Sequence, residues 1–349
     1  YFEIDPLLGS AEDLKALTAD ARARGIGVLL DGVFNHCGKT MPEFLAAKAG
    51  DAELAKLFHL YPDGSYQTFG GTDFMPKFNT AEPAMLDFVE RVLRHWHDFG
   101  ISGWRFDVPY KFEPGFMAAL RERVRDLDSA RYFIAEAWNE WSFADNFEAV
   151  QNYRSGYRIL DYVHKHAADA EDFILDIMRW GKTWGDFSVL PNFIDSHDTA
   201  RFATLVEGRR DSWMLGFALH MLIPGVPVVY SGTELALEGV NDPGCRATYP
   251  TELSADQRSA LEFSTPWMHL RGTSKALSHG GIEVVELKNH AMIFERAASG
   301  QSIRVLVNTG YRDELLNTDV SGTWLDINHK PVELGFTVPQ RSLFYRKSD

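Results

Sequence analysis

Cysteine is scarce in this chain of 349 residues: only Cys37 and Cys245 occur. At most one disulfide can form, so no disulfide framework holds the fold, and the two read as free thiols. There is no CxxC. Long apolar runs are missing too, and none approaches the roughly 20 residues a membrane-spanning helix needs. Positive charge is in deficit. Against 49 Asp and Glu there are 35 Lys and Arg, a formal net charge of −14, which argues against nucleic acid or an anionic membrane as partner. No GxGxxG turn follows an early strand, which disfavours a dinucleotide-binding open sheet. Repeats and low-complexity tracts are absent. No secretory leader is visible, and the first residue is Tyr1 rather than Met. These features suit a cytoplasmic protein whose true N-terminus lies upstream.

What is present has a clear rhythm. Apolar residues make up 45%, enough for a large core. Nine Trp suit stacking on flat ring faces, though a large core uses them as well. From Ser10 to Arg24, Leu14, Leu17 and Ala21 recur at helical spacing, with Ser10 as N-cap and Gly25 as stop. "GIGVLLDGVFNH" follows as an unbroken apolar run, the mark of a parallel strand covered on both faces. The helix "AMLDFVERVLRHWHDFG" then precedes the strand "ISGWRFDV", and "GFMAALRERVRDL" precedes "RYFIAEAW". Further units are "FEAVQNY" with "ADAEDFILDIMRWG", "SVLPNFIDSHD" with "DSWMLGFALHML", and "GVPVVYSG". At least six strand and helix units in series predict an α/β chain of the (β/α)8 TIM-barrel class. Counted back from the last strand, "YFEIDP" is the end of strand two, so strand one and most of strand two are absent from this chain. Such a truncated barrel is expected to fold poorly alone. The barrel would occupy residues 1–275, with 37–79 a long loop or small subdomain after strand three. Beyond it come short alternating strands, "GIEVVELKN", "AMIFERAA", "SIRVLVNTG", "TWLDI" and "RSLFYRK". They predict a small C-terminal antiparallel β-sandwich over 276–349.

Barrel enzymes carry their chemistry where strands end. Strand three offers Asp31, Asn35 and His36 there, strand four Arg105 and Asp107, strand five Glu136, and strand seven Asp195, His197 and Asp198. Glu234 follows strand eight. Singly, each has a bland reading. Asp198 caps the next helix, His36 is a loop histidine, Asp31 is structural, Glu234 is solvated, and His95 and His97 are ordinary helix residues. Jointly they are hard to dismiss, because Asp107, Glu136 and Asp198 have separate strand addresses and converge on one mouth. Paired carboxyl groups are the tools of glycoside hydrolysis: one attacks, the other gives and then takes a proton. Glu136 sits among Ile134, Ala135, Ala137 and Trp138, an apolar setting that suits a general acid. Arg105 and Asp107, two apart along a strand, share a face, and the guanidinium is expected to keep that carboxylate ionised and oriented.

Four segments in order, "DGVFNH" (31–36), "GWRFDV" (103–108), "AEAW" (135–138) and "FIDSHD" (193–198), resemble the hallmark segments of the α-amylase family of glycoside hydrolases, family 13. "MPKFN" (75–79) and "GVPVVYSGTEL" (225–235) resemble two more. "MPKFNT", "EGVNDPGCR" (238–246) and "NY" (152–153) are similar to its neopullulanase, cyclomaltodextrinase and maltogenic-amylase branch. The resemblance implies a retaining double displacement on α-1,4-glucosidic bonds of maltooligosaccharides, cyclodextrins, pullulan or starch. It implies Asp107 as nucleophile, Glu136 as acid and base, and Asp198 as the holder of the reacting glucose. Arg105 would orient Asp107, and His36 and His197 would hydrogen-bond the same sugar. Trp138 and Tyr153 would be aromatic platforms for neighbouring glucose units. The chemistry requires no cofactor. Asn35 matches a position that binds Ca2+ in many members, which leaves a structural Ca2+ open. The implied partner is an α-glucan oligosaccharide, and the branch's N-terminal domain, absent here, implies a homodimer of the parent protein.

The departures are specific. Ser231 and Thr233 stand where the family usually has Tyr and Asp, and Cys37 where Ser or Thr is common. "VPYKF" follows Asp107 where the branch usually has "VANE" or "VPNE". That stretch meets the leaving-group side, so a transglycosylase using the same covalent intermediate is the alternative. A catalytically silent amylase-like binding protein is the reading from another class. Such members typically lose the acids, whereas this chain keeps all three.

Overall fold

A computed structural model describes residues 1–127, 132–138, 146–184 and 187–348. Contacts divide the chain into two compact units, Tyr1–Gln151 and Asn152–Asp349.

The first unit is built on one parallel sheet. β1 (Leu29–Gly32), β2 (Gly103–Phe106), β3 (Tyr132–Ala135) and β4 (Ala149–Val150) lie in that order. β2 approaches β3 so closely at Gly103 that a Cβ there would stand 2.1 Å from the Tyr132 carbonyl oxygen, so only glycine fits. α1 (Ala11–Ala23) starts at a reciprocal Ser10–Asp13 capping box. Its buried face differs from the expected Leu14, Leu17 and Ala21 stripe. Leu17 is 58% exposed, while Thr18 is buried and its hydroxyl donates to Phe99 O at 2.6 Å. The expected strand end at 1–6 carries no ladder. Tyr1 is instead anchored by its side chain, whose hydroxyl donates to Val33 O at 2.7 Å and whose ring packs on Phe34 and Phe88.

Residues 37–79 fold back on themselves. α2 (Pro42–Lys48) and α3 (Ala52–Ala55) are followed by short bridges such as Phe58 with Phe78 and Thr68 with Pro76. Phe44, Phe58 and Tyr66 pack edge to face inside them. α4 (Pro83–His97) takes Pro83 in its first turn and buries Met85, Phe88, Val89, Val92, Leu93 and Trp96 as one stripe. α5 (Phe116–Arg123) completes the unit.

The second unit opens with α6 (Tyr153–Leu160), which runs into a wider π turn over Asp161–Lys165, and continues through α7 (Ala170–Trp184). β5 (Pro191–Asn192) and β6 (Val226–Pro227) pair in parallel over two residues only. The expected strands were longer; the ladder seen is carried by the Val226 N–H to Leu190 O at 2.8 Å and the Val228 N–H to Asn192 O at 2.7 Å. Between them lie α8 (Phe202–Leu205) and α9 (Arg210–Leu222). Ten of the 13 residues of α9 are buried, so it is covered on nearly all faces. α10 (Ala255–Thr273) and α11 (Lys275–His279) follow.

The five expected C-terminal strands all form: β7 (Glu283–Lys288), β8 (Ala291–Ala298), β9 (Gln301–Asn308), β11 (Gly322–Asp326) and β14 (Ser342–Ser348). β10 (Glu314–Leu315), β12 (Pro331–Leu334) and β13 (Thr337–Val338) join them. The layers are an antiparallel six-stranded sheet in the order β12-β11-β14-β9-β8-β7 and a separate β10-β13 pair. Ile293, Leu306, Trp324, Val338 and Phe344 form the core of this part.

Two buried arginines grip the end of α9 and the turn after it. Arg271 donates to the carbonyls of Met221, Ile223 and Gly225. Arg296 donates to those of Leu222, Leu277, Gly280 and Gly281 at 2.6–3.1 Å. Burial, with repulsion from Arg271, pushes the Arg296 guanidinium down to about 9. Arg296→Met will strand these carbonyls, at about 1–3 kcal/mol for each buried group left unpaired. The expected loss of several kcal/mol is read as a lower urea midpoint, partly recovered in Arg296→Lys. An unchanged midpoint in the Met variant would contradict this role.

Candidate active site

Parallel register assembles the first half of the site. Asp31 of β1 pairs with Arg105 of β2, which pairs with Ile134 of β3. Paired residues on neighbouring strands point to the same face. Two places further on, the same register sets Asp107 beside Glu136. Their N–H groups extend the ladder to Gly32 O at 3.1 Å and Phe106 O at 3.0 Å. Alternation therefore places Asp31, Arg105, Asp107 and Glu136 on one face. Trp104, Phe106, Phe133 and Ala135 are buried on the other.

Arg105 ties the acids together. Its Nη1 donates to Asp31 Oδ1 at 2.8 Å and to Asp107 Oδ1 at 2.9 Å. Its Nη2 lies 2.9 Å from Glu136 Oε2. Glu136 is 3% exposed and accepts two further hydrogen bonds, from the Val108 N–H at 3.1 Å and from Trp138 Nε1–H at 2.9 Å. Val108 has φ 38°, a left-handed conformation that is costly for a β-branched residue before proline. That turn aims its N–H at Glu136, and strain of this kind collects at functional sites.

One expectation is corrected here. Arg105 does not by itself keep Asp107 ionised. Burial pushes the Asp107 carboxyl up to about 7; Arg105 pulls it down and Glu136 pushes it further up. Burial is the main cause, and the one cation that opposes it is shared among three carboxylates. Asp31, read from the sequence as structural, is the competitor: both its oxygens accept from Arg105 Nη1.

His36 Nδ1 stands 4.0 Å from Asp107 Oδ2. Burial lowers the ring's pKa, so it is neutral at neutral pH. The Asn35 amide nitrogen lies 3.2 Å from Nδ1; donating there, it leaves the ring proton on Nε2. The ring stacks on Phe69 at 4.5 Å and 6°. Phe69 was not singled out from the sequence. The only signal was an aromatic beside Gly70 and Gly71 in the long loop.

The second unit holds the remaining candidates. Asp198 Oδ1 lies 3.0 Å from Arg246 Nη2, and its Oδ2 3.2 Å from His197 Nε2. Asp198 does not cap α8; the Phe202 N–H is taken by Asp195 Oδ1. Arg246 was missed as an individual residue, although "EGVNDPGCR" contains it. Tyr153 is buried, with its ring edge-on to Phe193 at 4.6 Å. It packs into the core of this unit rather than presenting an open face, because it sits in the first turn of α6 just past the Asn152–Asn192 bridge. The structure thus gathers Asp107, Glu136, Arg105, His36 and Trp138 in one unit and pairs Asp198 with His197 in the other.

A family model described as the α-amylase catalytic domain matches residues 1–279. The chain belongs to the α-amylase family. It is 32% identical over 326 residues to a cyclomaltodextrinase from a Bacillus species, covering 88% of this chain and 58% of that protein. It is 29% identical over 347 residues to neopullulanase 2 of Thermoactinomyces vulgaris, covering 93% and 59%. Among solved structures, the ligand-free cyclic α-maltosyl-(1→6)-maltose hydrolase of Arthrobacter globiformis matches with a TM-score of 0.86 at 28% identity, over 100% of this chain and 80% of that one. The chain therefore spans under two thirds of the length of these curated relatives. The α-amylase fold is a (β/α)8 barrel with a C-terminal antiparallel β domain, and the parallel strands β1–β6 and the six-stranded sheet are its parts here.

For an α-amylase chain, Asn35 is the position to test for Ca2+. Its Oδ1 is buried without a hydrogen-bond partner, as a cation ligand would be. Yet Ca2+ takes about six to eight oxygens. Among the described residues no three His, Cys, Asp or Glu side chains gather as a metal site. One amide oxygen does not make a Ca2+ cage, and no step below runs through a metal.

The Asp107 shift has a consequence for stability. A carboxyl raised above its unfolded value of about 3.9 holds its proton more tightly when folded. That contribution is full below about pH 4 and is lost as pH rises through about 7. Asp107→Asn keeps the shape without the charge. Its melting temperature is expected to exceed the wild type's by a few degrees at pH 8, with the gap closing at pH 4. Calorimetry at the two pH values checks this; an equal gap at both contradicts it.

Proposed function

We propose that this chain carries the machinery of a retaining α-glucan hydrolase of the cyclomaltodextrinase and neopullulanase type. Its substrates would be α-1,4-linked maltooligosaccharides, cyclodextrins, pullulan or starch. The observation that carries the proposal is the adjacency of Asp107 and Glu136 on one sheet face under one guanidinium. Neighbouring strands lie about 4.8 Å apart. Retaining enzymes hold their two carboxyl groups about 5–5.5 Å apart, closer than the roughly 6.5–9.5 Å that admits an inverting water, and two acids meeting the two Nη atoms of one guanidinium suit the closer pair.

Asp107 attacks the anomeric carbon while Glu136 gives its proton to the departing glycosidic oxygen. A covalent ester between sugar and Asp107 results. Glu136, now a carboxylate, takes a proton from water, whose oxygen attacks the same carbon and releases Asp107. His36 donates from Nε2 to a hydroxyl of the reacting glucose. Asp198 and His197 would bind sugar hydroxyls. Trp138, through its bond to Glu136, fixes the acid's orientation. Residues 1–275 would form the catalytic part and 276–349 an accessory module. The matched relatives are named as hydrolases, which favours water over a sugar acceptor. Cys37 and Cys245 are free thiols, which supports a reducing, cytoplasmic setting. No described helix is long and apolar enough to cross a membrane.

Glu136→Gln is expected to lower kcat on β-cyclodextrin by on the order of 10³–10⁵-fold. With α-glucosyl fluoride, whose leaving group needs no proton, the first step survives and the glycosyl ester on Asp107 accumulates. Intact-mass analysis reads that adduct. An adduct in Glu136→Gln and none in the Glu136→Gln, Asp107→Asn double variant is the expected pair; full turnover in Asp107→Asn alone sinks the mechanism. On the wild type, β-cyclodextrin opened faster than starch is cleaved supports the branch, and the reverse order removes it.

A further inference from the structure

Asp198 is held by Arg246, and Arg246 is held by something the proposed chemistry does not use. Arg201 lies three residues after Asp198 and is 0% exposed. Its Nε donates to Cys245 O at 3.0 Å, and its Nη1 donates to Ser231 O at 2.8 Å. The guanidinium carbon lies over the Tyr230 ring, 4.2 Å from its centre. Nη1 is 3.9 Å from Asp195 Oδ2, which in turn accepts from the Thr233 hydroxyl at 2.8 Å. The Arg201 N–H donates to Gly239 O at 2.8 Å. The segment 239–246 is thus fastened near both ends to one residue, at Gly239 by the Arg201 backbone N–H and at Cys245 by its guanidinium. A second tie runs back, from Cys245 Sγ to His197 O at 3.1 Å.

We propose that Arg201 is a positioning residue that sets the register between segment 195–198 and segment 239–246, so that Arg246 meets Asp198. The proposal rests on the role given above to Asp198. Its logic is steric and electrostatic. Arg246 is the residue after Cys245, whose carbonyl Arg201 holds. A shift of that carbonyl carries Arg246 with it, and Arg246 Nε is already committed to Asp242 at 2.8 Å. The buried fork satisfies carbonyls of two loops at once, which a lysine cannot reproduce. The departure at Thr233 fits the same device. Burial already raises the Asp195 carboxyl, and an acid at 233 would set a second carboxyl against it. The hydroxyl donates instead, and leaves Asp195 free to cap α8.

The test is a double-mutant cycle in the full chain, with Arg201→Lys, Arg246→Ala and the double variant measured for kcat and KM on β-cyclodextrin. If Arg201 acts through Arg246, Arg201→Lys lowers kcat/KM by about 10–100-fold at temperatures well below its melting point. The double variant then loses no more than about threefold beyond Arg246→Ala alone. Losses that multiply, or a lower melting temperature with unchanged kcat/KM, overturn the proposal. If Arg201→Lys does not fold, Tyr230→Leu, which removes the ring beneath the guanidinium and the hydroxyl that donates to Cys245 O at 3.4 Å, enters the same cycle with the same outcomes. Asp198→Asn is run alongside. Full activity there removes the reading of Asp198 itself, whereas an inactive Asp198→Asn beside an unimpaired Arg201→Lys removes only the clamp.

Discussion

The first unit's site depends on one guanidinium. Arg105 keeps 12% side-chain exposure and meets Asp31, Asp107 and Glu136. A buried arginine without partners would cost several kcal/mol. Three clustered carboxyls without a cation could not all ionise. Each side of the arrangement makes the other tolerable. The count is still uneven, with three acids to one base, and that imbalance is useful. Positive charge develops on the sugar in the oxocarbenium-like transition state of glycoside cleavage. In the proposed mechanism a preorganised surplus of negative charge favours that state over the neutral substrate. The same surplus costs folding energy at high pH, a tension common where function needs charges the fold would rather not bury.

The second unit answers burial differently. Arg201, Arg271 and Arg296 meet mainly backbone carbonyls. Such carbonyls cluster where a helix ends or a loop turns, with partial negative charge and no intrahelical donor. A guanidinium, with five N–H groups in a rigid fork, satisfies several at once. This matters because the ladder between β5 and β6 is only two residues long. Beyond it, Arg201 ties Ser231 O and Cys245 O, and Arg271 and Arg296 tie the carbonyls at the end of α9.

Much of the fold could be read in advance where period and length agree. α4 shows a 3.6-residue stripe with Pro83 at its start; Val89, Val92, Leu93 and Trp96 of the expected stripe are buried, while Leu86 stays half-buried and Met85 and Phe88 are buried instead. The five C-terminal strands follow a period of two between turn residues. Expectation failed where a local signal was overruled from outside. Leu17 fits a helical stripe, but Thr18 found a hydrogen bond to Phe99 and took the buried place. Tyr153 looked like an open platform, but its place at the start of α6 put the ring into the core. α10 was not anticipated at all: Pro266 interrupts its pattern, and only the Ser254–Gln257 capping box marked its start.

The sequence alone determined which groups form the candidate site. Acids at successive strand ends, with an arginine two residues before one of them, identify Asp107 and Glu136, because alternation along a strand is a property of the chain itself. Only the tertiary structure decided how those groups share charge. Asp31 lies 74 residues from Arg105 in sequence, and Phe69 lies 33 residues from His36, which it stacks upon. Arg201 reaches Cys245 across 44. No periodicity links positions so far apart. Parallel register and loop packing do, and they set Asp107 near neutrality instead of leaving it an ordinary carboxylate.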